Sequence, residues 1–155
     1  WKSAIRSFRL LTKLTLPGIA MQPRSAVWDE MWNDIYVALY QFLLQYGTST
    51  ASPLVGEEEE LILMEMLRDD ILPNCGDSAD TDCVEKLVNI VEQCSRVRAK
   101  RPLVNAGINT LFYICQRVVK DDMSPNQRVG VVALPILIGR CNTILSTYLA
   151  DDRAS

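Results

Sequence analysis

Residue types that commonly carry out catalysis are poorly supplied in this sequence. It contains no histidine, so neither a histidine general base nor a histidine metal ligand is available. Adjacent aspartates occur three times, at 69–70, 121–122 and 151–152, where we predict helix ends and turns. Such pairs are more typical of solvated edges than of an acid/base dyad. Because motifs for nucleotide phosphates, zinc hydrolysis and an activated serine are also absent, we expect no enzyme activity.

The five cysteines indicate neither a metal site nor a disulfide scaffold. They are odd in number and scattered, and no Cys-x-x-Cys pair occurs. Four of them lie in apolar periodic stretches, where a thiol packs as a small hydrophobe: Cys83, Cys94, Cys115 and Cys141. This usage is typical of a reducing cytosol. We therefore expect no structural zinc ion and no other cofactor.

Two clusters of basic residues are the candidate binding sites. One follows the flank of a predicted helix at helical spacing, and the other crowds a predicted helix end and the turn after it. The first cluster is Lys2, Arg6, Arg9 and Lys13, and the second is Arg96, Arg98, Lys100 and Arg101. Each surface cation near an anionic leaflet contributes about 1 kcal/mol, so four to eight of them together favour an anionic lipid or an acidic partner.

Each cluster also has a purely structural interpretation, which the sequence leaves open. The first is also typical of a core-packing helix with a solvated charged edge. The second is also typical of cations that complement the negative end of a helix dipole. The run Glu57–Glu60 is expected to be a solvated helix start. Successive helix positions point about 100° apart, so these four carboxylates cannot converge on one ion.

Residues 25–45 form the stretch around which we expect the fold to be organised. Its large apolar residues recur every three or four positions, which places them on one helix face: Trp28, Trp32, Ile35, Leu39 and Phe42. Ser25 precedes the stripe and can accept a hydrogen bond from an unpaired backbone N–H, so it is the expected N-cap.

Five further helices are predicted from apolar periodicity and from proline, glycine and capping residues. Their expected positions are 1–16, 57–72, a helix opened by Asp82 and Glu85, 103–120, and 124–149 with Ser124 as cap and Pro135 inside. Because no strand pattern occurs, we predict an all-α fold with about six helices in antiparallel hairpins, as a HEAT-like or armadillo-like bundle. We expect one domain over residues 1–155.

The expected buried positions in the first and last helices follow the same periodicity. In the first helix they are Trp1, Ile5, Phe8 and Leu11. In the last helix they are Val129, Val132, Ala133, Ile136, Cys141, Ile144, Leu145 and Tyr148. The polar end at 151–155 is expected to fray. Gly107 is expected to allow close helix packing in the fifth helix.

Composition narrows the classes of partner. The 48% hydrophobic content is ordinary for a globular protein. The net charge of −3 argues against nucleic acid, for which a basic domain is expected. We find no run of about 20 apolar residues, the length that a bilayer span requires. The cysteine usage, which is typical of a reducing cytosol, predicts a cytoplasmic protein. Because the first residue is Trp rather than Met, we expect the sequence to be part of a longer chain.

Two segments carry a resemblance to a known family. The first, at 67–75, reads LRDDILPNC, and the second, at 128–153, closes with TILSTYLADDR. Both resemble the C-terminal region of the MON-two proteins, which are large helical-repeat scaffolds related to the BIG-type Arf exchange factors. The family tail usually carries an acidic residue where this chain has Ala150. The resemblance covers about a third of the chain.

The resemblance implies a role without catalysis. MON-two proteins lack an exchange domain and act as peripheral scaffolds on trans-Golgi network and endosome membranes, in endosome-to-Golgi retrieval. Dopey-type proteins and phospholipid flippases are the implied partners. Together with the basic clusters, this predicts a trafficking scaffold domain that binds an anionic phospholipid, such as phosphatidic acid or phosphatidylinositol 4-phosphate. The alternative is a protein-interaction or dimerisation module without direct lipid contact.

Overall fold

The computed structural model describes residues 2–45, 56–96, 101–120 and 127–154, and every regular element in these ranges is helical. The helices are α1 (Lys2–Ala20), α2 (Ala26–Tyr40), α3 (Glu57–Met66), α4 (Thr81–Cys94), α5 (Arg101–Lys120) and α6 (Gln127–Ala154). For this part of the chain the predicted all-α fold with six helices is confirmed. Five features singled out above lie outside the described ranges: Trp1, Arg98, Lys100, Ser124 and the pair at 121–122.

The α2 helix supplies the centre of the core, as its spacing predicts. Trp32 is 1% exposed, Ile35 and Leu39 are also buried, and Trp28 and Phe42 are half-buried against the same cluster. The N-cap is confirmed, because Ser25 Oγ accepts a hydrogen bond from the Trp28 N–H at 3.4 Å. The helix continues into one wider π-type turn at Gln41–Gln45.

The other helices pack around this centre in a connected bundle. The α2 helix contacts α4, and α4 contacts both α5 and α6. The α5 helix also contacts α6 and α3, and α3 contacts α1. A single cluster of buried apolar side chains runs through all of these contacts. The loop before α4 is anchored to α2, because Trp32 Nε1 donates a hydrogen bond to Ser78 Oγ at 3.0 Å.

The first helix is longer than predicted. Its predicted end at residue 16 is wrong, because α1 continues through Pro17 to Ala20. A proline inside a helix removes one backbone hydrogen bond. Here the buried Leu16 and Ala20, and one hydrogen bond from a distant loop, stabilise the end of the helix. The Asp77 N–H donates to the Ala20 carbonyl oxygen at 3.1 Å. The prediction for Leu11 is also wrong, since its side chain is 58% exposed.

Two helix starts differ slightly from their predicted positions. The N-cap of α4 is Asp80 rather than Asp82, and Asp80 Oδ1 accepts from the Cys83 N–H at 2.7 Å. The α5 helix begins at Arg101, two residues early, and includes Pro102 in its first turn, where a missing N–H costs no helical hydrogen bond. The prediction for Gly107 is confirmed, since an added Cβ would lie 3.0 Å from Val91 O on α4.

The last helix extends beyond the helices that support it. Val129 and Ala133 are buried, whereas every residue from 141 to 153 is exposed. The physical reason is length, because the 28 residues of α6 span about 42 Å and the 14 residues of α4 only about 21 Å. Four predictions of burial are therefore wrong, namely those for Cys141, Ile144, Leu145 and Tyr148. The predicted frayed end is wrong too, since 151–154 are helical.

The composition of α6 corrects the statement, made from the sequence, that no segment is long and apolar enough to span a bilayer. The segment Val129–Arg153 is long and apolar enough to cross a membrane when judged by length and hydropathy alone. Core helices of soluble proteins pass the same test, but only 22% of the most apolar window in this segment is buried in the bundle.

Candidate functional site

Three residues of the first basic cluster, Lys2, Arg6 and Arg9, lie beside carboxylates of α3 and of the turn after it. Lys2 Nζ lies 2.7 Å from Glu58 Oε2, and Arg6 Nη2 lies 4.0 Å from Glu58 Oε1. The hydrogen bond and the opposite charge raise the pKa of Lys2 and lower the pKa of Glu58. Lys13 is exposed and forms no ion pair with a described side chain. A lipid headgroup at this cluster would have to compete with carboxylates already in place.

Arg9 makes the most buried of these contacts. Its Nε lies 3.2 Å from Asp70 Oδ2 and its Nη1 lies 3.1 Å from Glu65 Oε2. Asp70 is buried, so its prediction as part of a solvated edge is wrong. The solvated start predicted for α3 is wrong at Glu59 and Glu60, which are also buried. These corrections share one cause, since the acidic side of α3 and the π-type turn after it pack against the basic flank of α1.

The second basic cluster remains on the surface. Arg96 follows the end of α4, Arg101 begins α5, and both side chains are exposed. Arg98 and Lys100 lie outside the described residues. Arg96 Nε donates a hydrogen bond to Glu92 Oε1 one turn earlier in α4, which partly offsets its charge. We call Arg96 and Arg101, together with the Arg98 and Lys100 that lie between them in the sequence, the basic turn.

A fifth cation, from α6, lies against the basic turn. Arg140 Nη2 donates to the Ser95 carbonyl oxygen at 2.9 Å, where the negative end of the α4 helix dipole favours a positive charge. Arg140 Nε is buried and has no hydrogen-bond partner among the described residues. Arg96 and Arg140 border an open groove of about 670 Å³. The rest of its lining comes from α6: Thr143, Ile144, Thr147, Tyr148 and Asp151.

An exposed apolar stripe on α6 was only partly recognised from the sequence, which placed Cys141, Leu145 and Tyr148 in the core and did not single out the other members. Its members recur at three, four, three, four and three residues, and we call them the α6 seam: Val131, Leu134, Ile138, Cys141, Leu145 and Tyr148. Cys141 is exposed, and the other five side chains are 49–70% exposed. The signal was present as a seven-residue repeat, which is typical of helix-to-helix pairing.

A second apolar depression lies between α1 and α2. It has a volume of about 390 Å³. Its apolar lining includes Leu11, Val27 and Met31, and two carboxylates, Glu30 and Asp34, stand at its α2 side. Leu11 and Val27 are exposed there because no described element covers this part of α1 and α2.

The cysteines provide no candidate catalytic or metal centre within the described residues. Cys75, Cys94 and Cys115 are buried, Cys83 is half-buried, and Cys141 is exposed. Burial, together with the nearby Asp80 carboxylate, raises the pKa of Cys83 to about 11. Among the described residues, no group of three or more Cys, Asp or Glu side chains is arranged to hold a metal ion.

Thiol labelling should therefore be strongly selective. At pH 8 and about 1 μM protein we expect iodoacetamide to modify Cys141 first, because the thiolate is the reactive form and Cys141 alone is exposed among the described thiols. With a pKa of about 11, only about one Cys83 side chain in a thousand is ionised at pH 8. Peptide mass spectrometry over time measures both rates. Equal rates at Cys83 and Cys141 would contradict this arrangement, and C141S should lack the fast phase.

In comparisons with models of known protein families, with curated proteins and with solved structures, no match to this chain was found. A candidate function therefore depends on the geometry described above and on the resemblance carried by the two sequence segments.

Proposed function

We propose that this chain is a non-catalytic scaffold domain in membrane trafficking that binds anionic phospholipid through the basic turn. The observation that carries this proposal is the contrast between the two basic clusters. Lys2, Arg6 and Arg9 face carboxylates of α3 and of the turn that follows it. At the basic turn Arg96 has one described carboxylate partner, Glu92, whereas Arg101 is exposed and forms no ion pair with a described side chain. Arg140 borders the same groove as Arg96.

The chemistry of these cations suits a phosphate monoester. A guanidinium group can donate two parallel hydrogen bonds to phosphate oxygens, which an ammonium group cannot do in the same fixed geometry. Arg96, Arg101 and Arg140 have known positions, and Arg98 and Lys100 lie between the first two in the sequence. Each cation close to an anionic leaflet contributes about 1 kcal/mol. Glu92 offsets part of this attraction through its contact with Arg96. Phosphatidic acid and phosphatidylinositol 4-phosphate both offer the required group.

The wider setting comes from the resemblance to MON-two proteins. It supports a cytoplasmic, peripheral position on trans-Golgi network and endosome membranes, in endosome-to-Golgi transport. It also supports a Dopey-type protein and a phospholipid flippase as partners, and a HEAT-like arrangement of the helices within a longer scaffold. These assignments are part of the proposal, and the helical bundle is compatible with them.

The direct test is co-sedimentation with liposomes that carry phosphatidic acid, phosphatidylinositol 4-phosphate or only neutral lipid. At roughly physiological ionic strength, where the Debye length is about 8 Å, we expect binding to the acidic liposomes only. R96E/R101E should weaken it at least tenfold, which corresponds to about 1.4 kcal/mol. K13E/R153E changes the net charge equally at two exposed cations elsewhere and should bind nearly as wild type does.

Two results would overturn the proposal. Absence of binding to every acidic liposome would remove lipid recognition altogether. An equal loss in R96E/R101E and K13E/R153E would show that only the overall charge matters. Far-ultraviolet circular dichroism of both variants verifies that the helices are intact.

The second candidate is a protein-interaction module without lipid contact. It is favoured by the depression between α1 and α2, which combines an apolar floor with the carboxylates of Glu30 and Asp34. Such a surface suits an amphipathic helix with basic residues along one flank. Failure of the liposome test would make this candidate the stronger one.

A further inference from the structure

The α6 seam is long, and none of the described residues covers it. From Val131 to Tyr148 it extends over about 26 Å of helix. It lies on a different side of α6 from the buried Val129 and Ala133, which face the described part of the bundle. Apolar residues at alternating three- and four-residue spacing let two helices pack side by side, each knob filling a hole in the other.

The order of residues along the seam makes it complementary to itself when two copies run in opposite directions. Leu134 then meets Leu145 of the second copy, and Ile138 meets Cys141 of the second copy. Val131 meets Tyr148 of the second copy, so a small side chain is opposite a large one. Each of these layers occurs twice by symmetry, which gives six apolar layers along the seam. Leu137 and Ile144 border it on one flank and add apolar area.

The charges at the end of α6 select this direction over the parallel one. A parallel pair would bring Asp151 and Asp152 of both copies together, and like charges repel at this distance. An antiparallel pair instead places them near the first turn of α6 in the second copy. The positive end of a helix dipole there favours carboxylates. We propose that the α6 seam binds a second copy of this chain in an antiparallel, two-fold symmetric dimer.

This dimer would also arrange the basic turns. The two-fold axis is perpendicular to the paired helices, so the same flank of α6 faces the same way in both copies. Arg96 and Arg140 border the flank that carries Ile144. Both basic turns would therefore be on one face of the dimer, where they could contact one membrane together and raise the overall affinity. Self-association itself does not depend on lipid binding, and the two are measured separately.

Sedimentation velocity without lipid tests the dimer directly. Between about 1 and about 200 μM we expect the mass to rise from 17.5 kDa towards twice that value, as is typical of a small and weakly associating interface. I138E/L145E should remain monomeric over this range. L10E/L14E introduces the same charges at two exposed leucines of α1 and should dimerise as wild type does.

Cross-linking tests the direction. Under mild oxidation, an equimolar mixture of wild type with I138C/C141S should form a disulfide-linked heterodimer, because residue 138 meets Cys141 of the second copy. Either protein alone should form much less, since the matching thiols are then one helical turn out of register. A parallel pair would give the opposite pattern.

The dimer proposal is overturned if wild type remains monomeric at every concentration, or if L10E/L14E abolishes association as fully as I138E/L145E does. A monomer that still sediments with acidic liposomes would contradict the dimer proposal and leave the proposed lipid binding supported. A dimer that does not sediment with acidic liposomes would contradict lipid binding and leave the dimer proposal supported.

Discussion

Replacing Trp32 with alanine is expected to lower the free energy of unfolding by about 3–5 kcal/mol. Trp32 is 1% exposed and lies in the middle of the core cluster, so truncation leaves a large cavity that the surrounding helices fill only partly. The substitution also removes the hydrogen bond from Trp32 Nε1 to Ser78 Oγ. The loop before α4 then loses its attachment to α2. Urea unfolding followed by far-ultraviolet circular dichroism gives the change directly.

Two milder substitutions separate the packing of Trp32 from its hydrogen bond. W32F keeps most of the apolar volume and removes the donor, so it should lower the free energy of unfolding by about 1–2 kcal/mol relative to wild type. S78A keeps the indole and removes its acceptor, and it should cost a similar amount. If W32A costs less than about 1 kcal/mol, α2 is not the centre of the core and the packing described here is incorrect.

Replacing Gly76 with alanine is expected to cost at least about 2 kcal/mol. Gly76 has a φ of +49°, which L side chains rarely adopt. An added Cβ would lie 2.2 Å from the Ala20 carbonyl oxygen, a backbone atom that cannot rotate out of the way. Relief of this overlap would separate the loop from the end of α1 and break the hydrogen bond from the Asp77 N–H to Ala20 O.

Gly18 supplies a matched control in the same helix end. An added Cβ there meets no atom within 4 Å. Alanine is favoured over glycine inside a helix by about 1 kcal/mol, so G18A should leave the protein equally stable or slightly more stable. Equal destabilisation by G18A and G76A would show that the contact with Ala20 is unimportant, and that glycine in this region matters for another reason.

The features that sequence alone could place are local ones. Ser25 caps α2 because the cap, the first turn and the apolar stripe are all within a few residues of one another. Gly107 was predictable because only a missing side chain allows the backbone of α5 to come so close to Val91. The assignment of Asp82 as a cap was wrong for a similarly local reason, since Asp80 offers the same carboxylate chemistry two residues earlier.

The sequence did not reveal which distant segments face each other. It also did not reveal how much of each helix the other helices cover. Lys2 and Glu58 are 56 residues apart, and nothing in either helix alone indicates that they face each other. Periodicity likewise identifies an apolar face on α6 but not whether another helix covers it. Leu145 satisfies the pattern as well as Val129 does, yet only Val129 lies within reach of α4 and α5.

The unsupported half of α6 has a consequence for how tightly any partner can be held. An isolated helical segment as short as 141–153 is marginally stable in water, because most helix stability in proteins comes from tertiary packing. Residues 141–153 are all exposed, so the described part of the bundle contributes little packing to them, and their order depends mainly on continuity with the anchored half and on what binds them. Part of the contact energy of a partner offsets the entropy of ordering this segment, which favours a short-lived, reversible complex over a permanent one.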